Sequence, residues 1–224
     1  MCNELKQTFA SARWLAWERI TRDGTHFLGR GVILANTLDY PSCGLNVEKT
    51  RIAFRMAYSI FDKIAYFLNF GLGLGMREGR VSFQKFWHEK DDGPLRERIS
   101  TSRNWPLRGL YWLSKDLFEE GMKDSTDPEA RALAELRNHL EHKYVKVREY
   151  SLPVQSYDPF HDTYAYVISR SDLECRTLRL LQLAKPALIY LTLAMHREEQ
   201  GRAKDNEHLP APIYYDTLSD NWKR

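Results

Sequence analysis

Eight consecutive residues, Arg137-Asn138-His139-Leu140-Glu141-His142-Lys143-Tyr144, carry a guanidinium, an amide, two imidazoles and a phenol. No other stretch of the sequence is as dense in groups that can handle a phosphate. An imidazole with an ordinary pKa of roughly 6.5 can take or give a proton near neutral pH, which makes His142 the candidate general base. Arg137, permanently charged and forked, suits phosphoryl oxygens and the charge that builds on them in a transition state. Asn138 can donate to a phosphoryl oxygen or hold His142 in one tautomer. His139 and His142 stand three apart, but no further His, Cys or acid follows at a ligand spacing, so neither a metal nor any other cofactor is expected.

These residues must sit on a helix. Asp127-Pro128-Glu129 supplies an N-cap carboxylate, a proline at the first helical position and an acid in the first turn, and the helix is expected to run to about residue 147. At roughly 100° per residue, Asn138 and His142 share one face and Arg137 and Glu141 another. Arg137 and His142 then diverge by about 140°. One helix does not bring them together; arginine reach, a bend or a second copy of the helix must. The plain alternative is that Arg137 pairs with Glu141 at i,i+4, which would blunt the positive field that a phosphate needs.

The remaining chain reads as helices around that one. Residues 5–20 carry Leu5, Phe9, Ala12 and Ala16 at helical steps, flanked by Trp14 and Trp17, and residues 22–45 are rich in Gly and turn formers. Asn46 is a cap for a helix over 47–70 whose apolar stripe is Ala53, Ala57, Ile60, Phe61, Ile64 and Leu68. Its other face carries Arg51, Arg55, Ser59, Asp62, Tyr66 and Asn69. These polar groups either bond to neighbouring helices, or Asp62 and Asn69 look toward Arg137 and His142 and orient them. Gly71-Leu72-Gly73-Leu74-Gly75 follows a helix instead of a strand, so it reads as a helix stop rather than a phosphate-binding loop.

Pro106 to Glu120 forms a further helix, with Gly121 as its stop. Short alternating runs around Tyr164-Ala165-Tyr166-Val167-Ile168 suggest a small hairpin or a long loop. Ser171-Asp172-Leu173-Glu174 has the form of a capping box, opening the longest apolar helix, to about residue 202. We expect one helical domain over 1–205, with its core at about 45–200, and a surface tail over 206–224.

Residues 77–108 hold eight basic side chains against five acids, the same excess as the +3 formal charge of the whole 224-residue chain. Arg77, Arg80, Lys85, Arg103 and Arg108 interleave there with Phe83, Phe86, Trp87 and Trp105. That is the mixture of a single-strand RNA surface, where cations track phosphates and aromatics stack bases. It is equally the composition of an amphipathic segment whose aromatics are core. A 43% apolar content with 12% aromatics predicts a packed core. Cys2, Cys43 and Cys175 show no paired spacing and the N-terminus no signal-peptide pattern, so a cytoplasmic protein is expected. Residues 178–195 contain Arg179, Gln182, Lys185 and Pro186, which favours a buried helix over a membrane span.

Arg137-x4-His142-x-Tyr144 resembles the R-x4-H-x-Y signature of HEPN toxins. A wider likeness to the LA2681-like branch of HEPN proteins is carried by 57–69 (AYSIFDKIAYFLN), 81–87 (VSFQKFW) and 104–117 (NWPLRGLYWLSKDL). The resemblance implies an all-α bundle of four to five helices, here with an extra N-terminal helix, in a homodimer. Many such proteins cleave RNA without a metal, through attack of the 2′-hydroxyl, in defence or stress; others only bind RNA or nucleotides. It further implies that two motif helices meet across a two-fold axis and that two His142 residues divide the acid and base roles. Tyr144 then corresponds to a tyrosine that can be modified when the toxin is paired with a nucleotidyltransferase antitoxin. A non-catalytic RNA- or nucleotide-binding module, or a helical interaction domain, remains the alternative.

Overall fold

The computed structural model describes residues 2–21, 24, 26–31, 41–90, 93–118, 128–149 and 164–205. Six helices and two strands appear in the order α1 (Cys2–Thr21), α2 (Leu45–Gly71), α3 (Glu97–Ser100), α4 (Trp105–Phe118), α5 (Pro128–His142), β1 (Tyr144–Arg148), β2 (Ala165–Ser169) and α6 (Arg170–Asp205). The helical class is as the sequence predicts. At the centre lies α2, packed against α1, α5 and α6. Its stripe of Ala53, Ala57, Ile60, Phe61, Ile64 and Leu68 is wholly buried, because a three- and four-residue spacing puts all six on one side of a 3.6-residue helix.

Small residues decide how closely the helices approach. Leu5, Ala12, Ala16 and Arg19 are the buried residues of α1, and the two alanines let its backbone settle onto α2. Leu107, Leu110, Leu113 and Leu117 turn α4 inward. A Cβ on Gly109 would stand 3.1 Å from the Tyr190 ring, so glycine there allows α4 to press on α6. By length and composition α6 could cross a membrane, yet Leu180, Ala184, Ala187, Leu191 and Ala194 are buried inside the bundle.

Phe83, Phe86 and Trp87 belong to this core and not to an RNA surface. All three are buried, with ring centroids 5.3 Å apart for Phe61 and Phe83, 4.9 Å for Phe86 and Trp87 and 5.6 Å for Trp87 and Tyr111. Of the four aromatics in the basic segment, only Trp105 is exposed.

Several local expectations shift. The N-cap of α2 is Gly44, without a side-chain bond, while Asn46 lies inside the helix and donates to the Gly24 carbonyl at 3.2 Å. Helix α6 starts before the predicted capping box: the Ser169 hydroxyl accepts from the Asp172 N–H at 3.0 Å. Helix α5 ends at His142 instead of near 147. The β-branched Val145 and Val147 favour extended backbone, and residues 144–148 pair with 165–169, Tyr144 opposite Ala165 and Arg148 opposite Ser169. That pairing is parallel, so the strands form no hairpin, and a parallel pair needs a crossover between them. Asp127, Gly121 and the tail over 206–224 lie outside the described residues.

Glu174, freed from capping, holds α1 to α6. Its Oε1 lies 3.2 Å from Arg19 and 3.0 Å from Arg170, and Arg170 reaches Glu149 after β1 at 2.9 Å. Arg19 is only 2% exposed, and truncating one partner of a buried pair leaves the other charge uncompensated at a cost of about 3–5 kcal/mol. Glu174→Ala is therefore expected to lower unfolding free energy by about 3 kcal/mol in urea titrations, and Arg19→Met/Glu174→Leu to recover most of it. Equal losses in both variants would count against the pair as the cause.

Candidate functional site

The polar face of α2 positions the motif. The last four carbonyls of a helix have no partner within it, and its C-terminus carries partial negative charge. Arg55 donates from Nη2 to the Leu140 carbonyl, and Arg51 donates from Nη2 to the Val145 carbonyl at 2.7 Å. One turn apart on α2, these two guanidiniums fix the end of α5 and the start of β1. Arg55 also takes Glu141, with Nε 3.8 Å from its carboxylate. Glu141 therefore faces Arg55, and the pairing with Arg137 that the sequence allows is not made.

Arg137 is half-buried, on the side of α5 facing α2. Its guanidinium lies 5.5 Å from the centre of the Tyr58 ring and donates to the Asn138 side-chain oxygen at 3.2 Å. Asp62 stands one turn along α2 from Tyr58, and its Oδ1 accepts the Phe83 N–H at 3.1 Å. Burial raises the Asp62 carboxyl above its ordinary range, while the Phe83 N–H and the charge of Arg137 pull it partly back. Burial and the Asp62 charge push the Tyr58 hydroxyl upward, against Arg137. Tyr58, Asp62, Arg137 and Asn138 thus form one coupled group.

His142 is not part of it. It is exposed at the last position of α5, and its side chain makes no hydrogen bond with the described residues. Glu135, Asn138 and His142, at steps of three and four, are all exposed and line one face of α5. Tyr144 is 78% exposed at the head of β1. His139 packs inward, stacked on Tyr166 at 4.7 Å, with a buried Nδ1 that has no partner among the described residues. Asn69 exchanges two 3.0 Å hydrogen bonds with the Met76 backbone and closes the turn after α2. Its predicted role beside Arg137 and His142 is corrected accordingly. Among the described residues no cluster of three metal-ligating side chains occurs.

Of the predicted RNA-binding residues, Arg77, Arg80, Lys85 and Arg103 are exposed and Arg108 is half-exposed, stacked over Trp105 at 5.1 Å. They do not form a single surface with Phe83, Phe86 and Trp87, which are core. Arg51, Arg55 and Tyr58 were not predicted as site residues. Their signal was the four-residue step between two arginines on a face otherwise short of charge, but only tertiary contact shows that they close α5.

An all-α bundle whose motif helix ends in Arg-x4-His is the arrangement of the HEPN class. The family model described as LA2681-like HEPN matches residues 1–198, and the chain belongs to that family. HEPN domains are generally ribonucleases or nucleotide-binding modules. No curated protein and no solved structure matches the chain.

The raised Asp62 carboxyl makes a pH-dependent contribution to stability. A folded-state pKa above the unfolded one means the native state keeps the proton longer, so the favourable term is full below 3.8, the ordinary value, and is lost as pH rises through the folded value. Asp62→Asn keeps an acceptor for Phe83 and removes the titration. Urea midpoints measured from pH 3.5 upward are expected to fall in the wild type relative to the variant, then run parallel; parallel curves throughout would exclude this account.

Proposed function

We propose that the chain is a metal-independent endoribonuclease that acts as a homodimer. The observation that carries this reading is the disposition of charge at the end of α5. Arg55 holds Glu141 and the Leu140 carbonyl, which leaves Arg137 free of a carboxylate partner on its own helix, and His142 is fully presented on an exposed face with Asn138. A second α5 laid against that face would bring imidazoles from two protomers to one phosphodiester, with Arg137 beside them.

In this scheme His142 of one protomer removes the proton of the 2′-hydroxyl, whose oxygen attacks phosphorus. The bond to the 5′-oxygen breaks, and the departing oxygen takes a proton from the other His142, leaving a 2′,3′-cyclic phosphate and a 5′-hydroxyl. Arg137 and Asn138 stabilise the charge on the phosphoryl oxygens. Tyr144, exposed two residues after His142, is accessible to covalent modification by a nucleotidyltransferase antitoxin, and an acidic or nucleotidylated Tyr144 would oppose binding of a phosphate.

One observation favours a second reading, an RNA- or nucleotide-binding module without turnover. Arg137 is held over Tyr58 and bonded to Asn138, a pose that grips an anion as well as it stabilises a transition state.

Labelled single-stranded RNA incubated in EDTA separates the two. The enzyme reading expects cleavage to cyclic-phosphate ends, a loss of at least 100-fold for His142→Ala, and unchanged helicity and dimer mass in that variant. Retention of RNA by wild type and His142→Ala alike, with no cleavage by either, would replace the nuclease with the binding module.

A further inference from the structure

Far from α5, the last turns of α6 and the segment between α3 and α4 enclose an open cleft of about 430 Å³. Four arginines line it, Arg98, Arg103, Arg197 and Arg202, against a single carboxylate, Glu198. That excess of three positive charges equals the formal charge of the whole chain. Glu198 is committed to one of these arginines: its Oε2 pairs with Arg98 at 3.0 Å, while its Oε1 accepts from the Asn104 amide at 3.0 Å.

The floor is rigid. Asn104 is 6% exposed, donates to the Ala194 carbonyl at 2.8 Å, and caps α4 by accepting the Leu107 N–H at 3.3 Å. Arg202 is anchored on the Gly71 carbonyl. Arg103 and Arg197 are exposed, and their side chains make no hydrogen bond or ion pair with the described residues. Two guanidiniums are thus held in place and two are open, in a concavity that concentrates their field. Forked guanidiniums suit phosphate oxygens.

The lining contains no aromatic residue, so it recognises charge and not bases. Trp105, which follows the lining residue Asn104 in sequence, is 67% exposed with the Arg108 guanidinium 5.1 Å over its ring. Arg108 in turn reaches the Ser100 carbonyl at 3.5 Å. We infer that this cleft is a second anion site, which binds consecutive phosphates while Trp105 stacks the adjoining base. An RNA strand and a nucleoside triphosphate share that chemistry.

The site is independent of the cleavage reading. Arg55 marks the end of α5 and Gly71 the anchor of Arg202; sixteen residues of α2 separate them, about 24 Å at 1.5 Å per residue. An occupant here touches neither Arg137 nor His142.

The test is binding to the full chain carrying His142→Ala, so that no cleavage intervenes. Fluorescence anisotropy reads a labelled 12-nucleotide RNA, with ATP and inorganic triphosphate as competitors. Arg103→Gln/Arg197→Gln is expected to raise Kd at least tenfold for RNA, for ATP or for both. Where RNA is the ligand, the slope of log K against log salt should become shallower by about 1.4, two phosphate contacts on a single strand. Loss for RNA with ATP inert identifies a strand; loss for ATP alone identifies a nucleotide. ATP should also compete better than triphosphate, a difference that Trp105→Ala removes. Lys6→Gln/Arg13→Gln, exposed on α1 and outside the cleft lining, serves as the charge control. An equal loss in that control, unchanged binding in Arg103→Gln/Arg197→Gln, or no binding of any probe would overturn the inference.

Discussion

Everything near the motif depends on two guanidiniums closing the C-terminus of one helix. Left alone, the end of α5 would present unpaired carbonyls and a partial negative charge, an unfavourable neighbour for a phosphate. Arg55 and Arg51 satisfy the Leu140 and Val145 carbonyls, and Glu141 and Glu48 in turn balance the two guanidiniums. The same contacts stop the helix at His142 and start β1 two residues later, which is what exposes His142 and Tyr144 together. Glu141, drawn to Arg55, leaves Arg137 without a carboxylate partner on its own helix.

Helix α2 therefore acts on two sides at once. Its apolar stripe is buried by α1 and α6, and its polar stripe makes separate attachments along its length: the first half to α5 and β1, and the second half to residues 76–83 through Asn69, Tyr66 and Asp62. Asp62 stands where these meet. It holds the Phe83 backbone and thereby the Phe83, Phe86 and Trp87 cluster, while its charge is felt by Arg137. Packing of the aromatic core and the electrostatics of the motif are thus coupled through one carboxylate.

Periodicity made the helices legible in the sequence, and the buried face of α2 from Ala53 to Leu68 reads directly, since a 3.6-residue repeat is a local property. Helix ends were less so. Asn46 has the right chemistry for a cap but is drawn to Gly24, and Glu174 has the right spacing for a capping box but is drawn to Arg19. In both places a contact distant in sequence outcompetes a local bond of similar strength. The strand pair was misread for the same reason, because parallel register is set by the partner and not by the run itself. At the candidate site, Arg137, Asn138 and His142 were legible from residue type and spacing. Arg55 and Tyr58 were not, since their importance arises from facing α5. Phe83, Phe86 and Trp87 show the converse error: composition cannot distinguish an aromatic that stacks bases from one that fills a core.

The distribution of acids explains how a chain with a formal charge of only +3 can still present strongly cationic surfaces. Carboxylates are spent on clamps between elements: Glu4 on Lys63, Glu18 on Lys49, Glu174 on Arg19 and Arg170, Glu198 on Arg98 and Asn104, Glu141 on Arg55. Each such acid neutralises a cation already committed to holding two elements together. Cations without a structural duty, Arg103 and Arg197 among them, keep their full field in solvent. Overall charge is then a poor measure of what an anion meets. The potential at a surface follows from which charges the fold has paired and where the others stand.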